Sequence, residues 1–338
     1  MIIPVYNVSA YIEKCVRSLN DQAISHADYE IIIVNDGSTD NSREVIVALQ
    51  KEYSNIVFID QQNQGVSRAR NNAIARARGE YLMPIDPDDF VMPRVLGSLI
   101  DRAFAERLDI LQLSYEFLDE HGTSVWKTDY GKLASRVRTG PEAYYAFRGK
   151  SVRDPDRSVA ILFHRAFLQR YHIHYPSGVP YLEDGLFLAK SFAVAERCGF
   201  DATPFYVRTT RMGSATNSNL YFSDKAVRGF LMAVSDLVQF RTNSGLQPAQ
   251  YRFLNQPITK FILLAAQSSL GNRGEMNLDA VLAALREMDM LRCPLAGCNR
   301  FYTRDGWVFN LSPRLYRYYK PIAVKVEALI YRLFGIAI

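Results

Sequence analysis

Within the first 90 residues, four apolar runs of strand length alternate with three segments of helix length, and the runs end in polar residues. The runs are Ile2–Val5, Glu30–Val34, Ile56–Asp60 and Tyr81–Ile85; between them lie Ser9–Asn20, Ser42–Tyr53 and Ser67–Arg78. In the first helical segment Ile12, Val16 and Leu19 share one face, and Ser9 can cap the free amides at its start. The second run is apolar at every position after Glu30, as expected of a strand covered on both faces. This alternation predicts an α/β fold: parallel strands joined by right-handed crossovers, forming an open sheet with helices on both sides. Ligands of such sheets bind beyond the carboxyl ends of the strands. Tyr6-Asn7, Asn35-Asp36 and Asp86-Pro87-Asp88-Asp89 all fall on that rim.

The last of these clusters points most directly to chemistry. Three carboxylates crowded at the end of a central strand repel one another, and their burial costs stability unless a positive charge sits among them. A magnesium or manganese ion held by one or two carboxylates completes its shell with water and the phosphate oxygens of a substrate. The stretch Tyr81–Phe90 therefore predicts a nucleotide-diphosphate site. The bland reading, a solvated turn capping the next helix, leaves the other two polar strand ends unexplained.

At 338 residues, 48% of them hydrophobic, the chain is long enough for two units. After residue 90 we expect a helix at Arg94–Glu106, strands at Asp109–Leu118 and Val159–Phe163, helices at Phe167–Tyr171 and Gly185–Ala195, and a last strand at Phe205–Arg208. Residues 119–157 read as loop with one helix near Pro141–Phe147. From about Ser223 the pattern is helical, clearest at Val227–Phe240 and Pro257–Leu270, which suggests a sheet domain over 1–220 and a helical domain over 221–338.

A net charge of +5 is too small to argue for nucleic acid as a partner. Its placement is more telling. Residues 300–338 hold seven Lys or Arg against Asp305 and Glu327, so the rest of the chain balances to zero. From Pro321 onward Ile322, Val326, Leu329, Ile330, Leu333, Phe334 and Ala337 share a helical face, with Lys325 and Arg332 near its margins. A basic helix with an apolar stripe suits an anionic membrane surface, so residues 312–338 are expected to make a peripheral contact there; packing on the chain's own domain is the competing fate. Four cysteines make no disulfide framework, and with no basic segment before the Ile2–Val5 run we expect no secretory signal and a cytoplasmic location.

Taken together, IIPVYN, VNDGSTD, NQGVSRARN, DPDD and LED, in this order, resemble glycosyltransferase family 2, the inverting sugar-nucleotide transferases of the GT-A fold. The resemblance implies that Pro4, Tyr6, Asn7 and Asp36 hold the nucleobase and ribose, with Arg68 or Arg70 near the base or the diphosphate. It matches Asp86 and Asp88 to the family's Asp-x-Asp motif, so that Asp88, aided by Asp89, lies closest to a Mn2+ or Mg2+ cofactor. Asp184 matches the catalytic base, with Glu183 beside it as the weaker choice. Phe205–Asn217 resembles an Arg-rich stretch whose Arg208, Arg211, Ser214 and Thr216 would close over the diphosphate. The implied activity is transfer of a sugar, with UDP-sugar the expected donor, to a hydroxyl of a glycan or lipid-linked acceptor in surface polysaccharide synthesis. The Gln-x-x-Arg-Trp motif and membrane spans of processive members are absent, which points to one sugar per encounter. Two rivals remain. A sugar nucleotidyltransferase would need a Gly-rich phosphate loop after the first strand, where this chain has Tyr6-Asn7-Val8 and no glycine before Gly37. A non-catalytic sugar-nucleotide-binding subunit would have no use for Asp184.

Overall fold

The computed structural model describes residues 1–119, 121–148, 156–179, 182–209, 219–272 and 274–334. It divides into two compact units. One comprises Met1–Ala146, Ser158–Ser177 and Ala195–Ser214; the other comprises Phe147–Arg157, Gly178–Val194 and Ala215–Ile338.

The first unit opens with β1 (Ile2–Val5), α1 (Ile12–Asn20), β2 (Ile31–Asp36), α2 (Ser42–Glu52), β3 (Ile56–Gln61), α3 (Val66–Arg76) and β4 (Tyr81–Leu82). As the alternation requires, β1, β2 and β3 are parallel, paired through Ile3↔Ile33 and Ile33↔Phe58. The chain after β4 runs beside β1, where Ile2 bridges Pro84 in parallel. Ile3, Val5, Ile31 and Ile33 share a core with Ile12, Val16 and Leu19 of α1 and Ile46 and Leu49 of α2. The alternate residues Ile2, Ile32 and Val34 are just as inaccessible, and α3 packs on β1 and β2. Both faces of the sheet are therefore covered, which is why β2 tolerates no polar residue before its rim.

Beyond β4 come β5 (Phe90–Val91), α4 (Leu96–Ala105), β6 (Ile110–Gln112), β7 (Tyr115–Leu118), β8 (Ser124–Lys127), α5 (Gly140–Arg148), β9 (Ile161–His164), α6 (Arg165–Arg170), β10 (Cys198–Phe200) and β11 (Tyr206–Arg208). They form two four-stranded sheets in the orders β10-β6-β9-β4 and β5-β11-β7-β8. The fold is parallel-rich and mixed: β9 runs antiparallel to β4 and β6, β5 antiparallel to β11, and β8 antiparallel to β7. The single strand expected over Asp109–Leu118 is two strands, because its first half pairs with β9 and β10 while its second half switches to β11 and β8. β8 lies in the stretch read as loop. All four of its residues are exposed, so it has no buried face to show as alternation, and Gly122 at φ 78° supplies the turn before it.

The second unit contains α7 (Glu183–Val194), α8 (Asp224–Asn243), α9 (Pro248–Gly271), α10 (Leu278–Glu287), α11 (Arg300–Leu311) and α12 (Pro313–Phe334). Ser223, Asn277 and Asn299 each accept a hydrogen bond from the amide three residues on, the capping chemistry these residue types favour. α9 begins well before Pro257, the expected start. Pro248 and the reciprocal Gln247–Gln250 capping box provide the N-terminus, while Pro257 is carried inside a helix buried almost all round. α11 and α12 pack together. The Phe309 and Tyr316 rings meet at 5.6 Å, and buried Asp305 accepts from Lys320 Nζ at 2.5 Å and from the Tyr319 hydroxyl at 2.8 Å. No helix among the described residues is long and apolar enough to cross a membrane.

Candidate active site

The polar ends of β1 and β2 form one hydrogen-bonded rim in the first unit. Asn7, at φ 53°, donates its amide to Ser38 Oγ (3.1 Å) and accepts from the Thr39 amide (2.8 Å). Asp40 takes the Ser9 amide (3.0 Å) and the Ser42 hydroxyl (2.5 Å); burial opposes its ionisation, but these donors outweigh it and hold the carboxyl down at about 2. Tyr6 is left 49% exposed beside this locked turn. Pro4 is buried in β1 opposite Val34.

Asp36, the last residue of β2, is 3% exposed and organises the segment leading to α3. Its Oδ1 accepts from Gln61 Nε2 (2.7 Å) and the Gln64 amide (2.8 Å), and its Oδ2 accepts from the Gly65 amide (2.8 Å). Two conformational demands follow. Gly65 turns into α3 at φ 87°, and Gly37, at φ 71°, lies so close to Asn63 that a Cβ would stand 2.7 Å from the Asn63 nitrogen. The NQG stretch is thus the partner of the strand-end aspartate. One Asp36 oxygen is doubly occupied while the other takes a single protein donor, which leaves it able to accept an imide N–H.

The three carboxylates after β4 differ in environment. Asp89 is 3% exposed; its Oδ2 accepts from the Tyr206 hydroxyl (2.8 Å) and its Oδ1 from the Thr209 amide (3.0 Å). Burial, then the charges of Asp86 and Asp88, push its carboxyl well above the usual range. The Tyr206 oxygen also accepts from the Asp86 amide (3.1 Å), and Thr209 Oγ1 donates to the Asp88 carbonyl (2.6 Å). The start of the loop is therefore tied to its end through β11. Asp86 keeps 38% of its side chain exposed and meets Arg70 Nη2 at 3.1 Å; Asp88 is half-buried. Arg70, 5% exposed, lies over the Tyr175 ring at 5.0 Å, whereas Arg68 on the same helix is exposed. Arg208, at the end of β11, lies over the Phe117 ring at 5.1 Å. Arg211, Ser214 and Thr216 lie outside the described residues.

A divalent ion is tested by this donor set. Hard carboxylate oxygens suit Mg2+ or Mn2+, but among the described residues no group of three or more ligating side chains could hold a metal unaided. Asp89 has both oxygens taken by protein donors, whereas Asp86 and Asp88 are partly open to solvent. The residues fit an ion completed by substrate phosphate and water, not a protein-only cage.

Glu183 and Asp184 form the first turn of α7 in the second unit, where the helix dipole favours acidic residues. Leu182 enters at φ 61°, an uncommon conformation for a bulky residue, and from Gly185 to Val194 every residue of the helix is buried. Asp156 packs against this turn: a Cβ on Gly185 would stand 2.5 Å from Asp156 Oδ2. Asp156 pairs with Lys260 of α9, and Lys190 of α7 pairs with Asp236 of α8 at 2.5 Å.

Sequence reasoning missed Tyr206, Thr209, Tyr175, Asp156 and Lys260. Their partners lie far off in the chain, and only the Tyr206 hydroxyl in an apolar strand and the Lys260 charge in an apolar helix carry a signal in advance.

Residues 1–175 match the family model described as glycosyl transferase family 2. The chain is 34% identical over 199 residues to the uncharacterized glycosyltransferase EpsJ of Bacillus subtilis (strain 168), covering 58% of this chain and 56% of that protein. It is 27% identical over 259 residues to a poly(ribitol-phosphate) beta-glucosyltransferase of Bacillus spizizenii, covering 74% of this chain and 38% of that protein. Among solved structures it is similar to residues 1–349 of S. aureus TarS in complex with UDP-GlcNAc, with a TM-score of 0.58, 18% identity, and 93% of this chain and 90% of that chain covered. That likeness is one of fold.

Proposed function

The chain belongs to glycosyltransferase family 2, and on that premise we propose that it is a metal-dependent, inverting hexosyltransferase. Its donor in this reading is a UDP-sugar, its acceptor a hydroxyl of a glycan or lipid-linked glycan in surface polysaccharide synthesis, and its place the cytoplasm, with contact to the inner face of the membrane through residues 312–338. The observation that carries the reading is the division of labour in one loop: Asp89 is satisfied by the protein, while Asp86 and Asp88 remain partly open to solvent.

In this mechanism Asp36, Asn7 and Tyr6, at the ends of β1 and β2, bind the nucleoside. Arg70 holds Asp86, and Arg208, with Arg211, takes the diphosphate. A divalent ion held by Asp88 and Asp86 would stabilise the charge of the leaving diphosphate as a Lewis acid. Asp184 accepts the proton of the acceptor hydroxyl as its oxygen bonds to the anomeric carbon, opposite the breaking bond to phosphate, so configuration inverts. General-base assistance of this kind is worth roughly 10²- to 10⁴-fold.

The test compares two variants with UDP-sugar and manganese. Asp88→Ala is expected to lose both hydrolysis and transfer; Asp184→Asn is expected to lose transfer while still binding UDP. Near-normal transfer by Asp184→Asn would overturn the base assignment, and binding without turnover in the wild type would favour a non-catalytic subunit.

A further inference from the structure

α12 has three longitudinal faces. Tyr316, Lys320 and Glu327 face inward: Tyr316 is fully buried, Lys320 pairs with Asp305, and Glu327 pairs with Arg304. Leu315, Tyr318, Ile322, Val326 and Leu329 recur at intervals of three and four, the spacing of one helical face, yet each is between 47% and 69% exposed. They make a stripe about 21 Å long at 1.5 Å per residue. Arg314 and Lys325, both exposed, lie along one border of the stripe, with exposed Arg317 farther round the helix on the same side, and among the described residues no ion pair engages them. Trp307 and Leu311 of α11, four residues apart, are each 61% exposed.

The distribution of charge decides among occupants. Both acids of residues 300–334 are engaged by protein cations, whereas three cations beside the stripe face solvent. An apolar stripe bordered by unpaired cations, with its acids neutralised internally, complements an anionic lipid surface. A second copy of the same helix would bring these cations toward one another.

We propose that the Leu315–Leu329 face of α12 is a membrane-docking surface for anionic phospholipid, with the stripe entering the headgroup boundary and Arg314, Arg317 and Lys325 meeting lipid phosphates. Lys320, although part of the basic run in the sequence, takes no part because Asp305 holds it inside. This inference deepens the proposed action on a lipid-linked acceptor and rests on that reading only for its purpose.

Co-sedimentation of the full chain with phosphatidylglycerol and with phosphatidylcholine vesicles tests it. The wild type should bind the anionic vesicles and release them in high salt. Arg314→Gln with Arg317→Gln and Lys325→Gln should weaken binding about 100-fold, at about fivefold per cation. Ile322→Asp with Val326→Asp should abolish it, and Lys320→Gln should not weaken it by the fivefold of a surface cation. Hydrolysis of UDP-sugar in solution should persist in the first two variants. Wild type that ignores phosphatidylglycerol, or an Ile322/Val326 variant that binds as well as wild type, would overturn the proposal. So would a dimer dissolved by that variant without vesicle binding, which would make the stripe a self-interface. Failure of hydrolysis in the wild type would strike at the proposed enzymatic function and leave the vesicle result standing.

Discussion

Tyr206→Phe isolates the tie between β11 and the aspartate loop. The substitution keeps the ring, stacked on Tyr115 at 5.8 Å, and removes one oxygen from a side chain that is 1% exposed. That oxygen donates to Asp89 and accepts from the Asp86 amide. Leaving the buried Asp89 oxygen without its donor costs about 1–3 kcal/mol, and losing the part-buried Asp86 amide bond about 0.5–1.5. The expected destabilisation is therefore about 1.5–4.5 kcal/mol. For a unit of this size that lowers the melting temperature by roughly 3–18 °C. Scanning fluorimetry reads this, and a manganese titration of UDP-sugar hydrolysis reads its consequence: with Asp86 and Asp88 less firmly held, half-activation should need more metal. Asp89→Asn should add little to Tyr206→Phe, since both act on one network. A melting temperature within a degree of wild type, with an unchanged manganese titration, would refute the claim that this hydroxyl holds the loop.

Lys260→Met removes the lysine that pairs with buried Asp156, and breaking a buried pair from one side costs about 3–5 kcal/mol. Urea denaturation should show that loss and should show much of it recovered when Asp156→Leu is added; equal stability of Lys260→Met and wild type would contradict the pairing. Asp40 gives a pH signature. Its folded carboxyl sits at about 2 against an ordinary value of 3.8, so its contribution is complete above roughly pH 4 and is lost as pH falls toward 2. The slope of stability against pH over that window should flatten in Asp40→Asn, and an unchanged slope would remove the assignment.

The parallel start of the sheet was legible because covered strands leave an unmistakable pattern: β2 is apolar until its rim, and its end is polar. The positions of Asp36 and Asp86 were legible for the same reason, since each closes a run that is apolar up to that point. What the pattern could not carry was pairing between distant segments. Nothing in Phe205–Arg208 announces that the Tyr206 hydroxyl will reach Asp89, and nothing in the near-continuous apolar run Asp109–Leu118 marks the point where it changes partners. The domain boundary was hidden likewise. α7 follows a sheet-like stretch of chain but is apolar on all sides, and a helix of that kind packs among other helices, here α8 and α9.

That same property raises the question of how α7 is oriented. Apolar burial has no direction, so a helix buried on every side could rotate about its axis and lose little hydrophobic contact. Its polar contacts are directional. Lys190 reaches Asp236 from one side, and Gly185 admits the Asp156 carboxylate, itself held by Lys260, at the first turn. A rotation that kept the core intact would separate buried Lys190 from Asp236, a penalty of several kcal/mol, and would turn the Gly185 gap away from Asp156, which stays paired with Lys260. These two contacts therefore resist rotation of the helix whose first turn carries Asp184, the base of the proposed mechanism. Lys260→Met is accordingly expected to cost turnover as well as stability, with the loss in kcat persisting at temperatures where the variant remains folded.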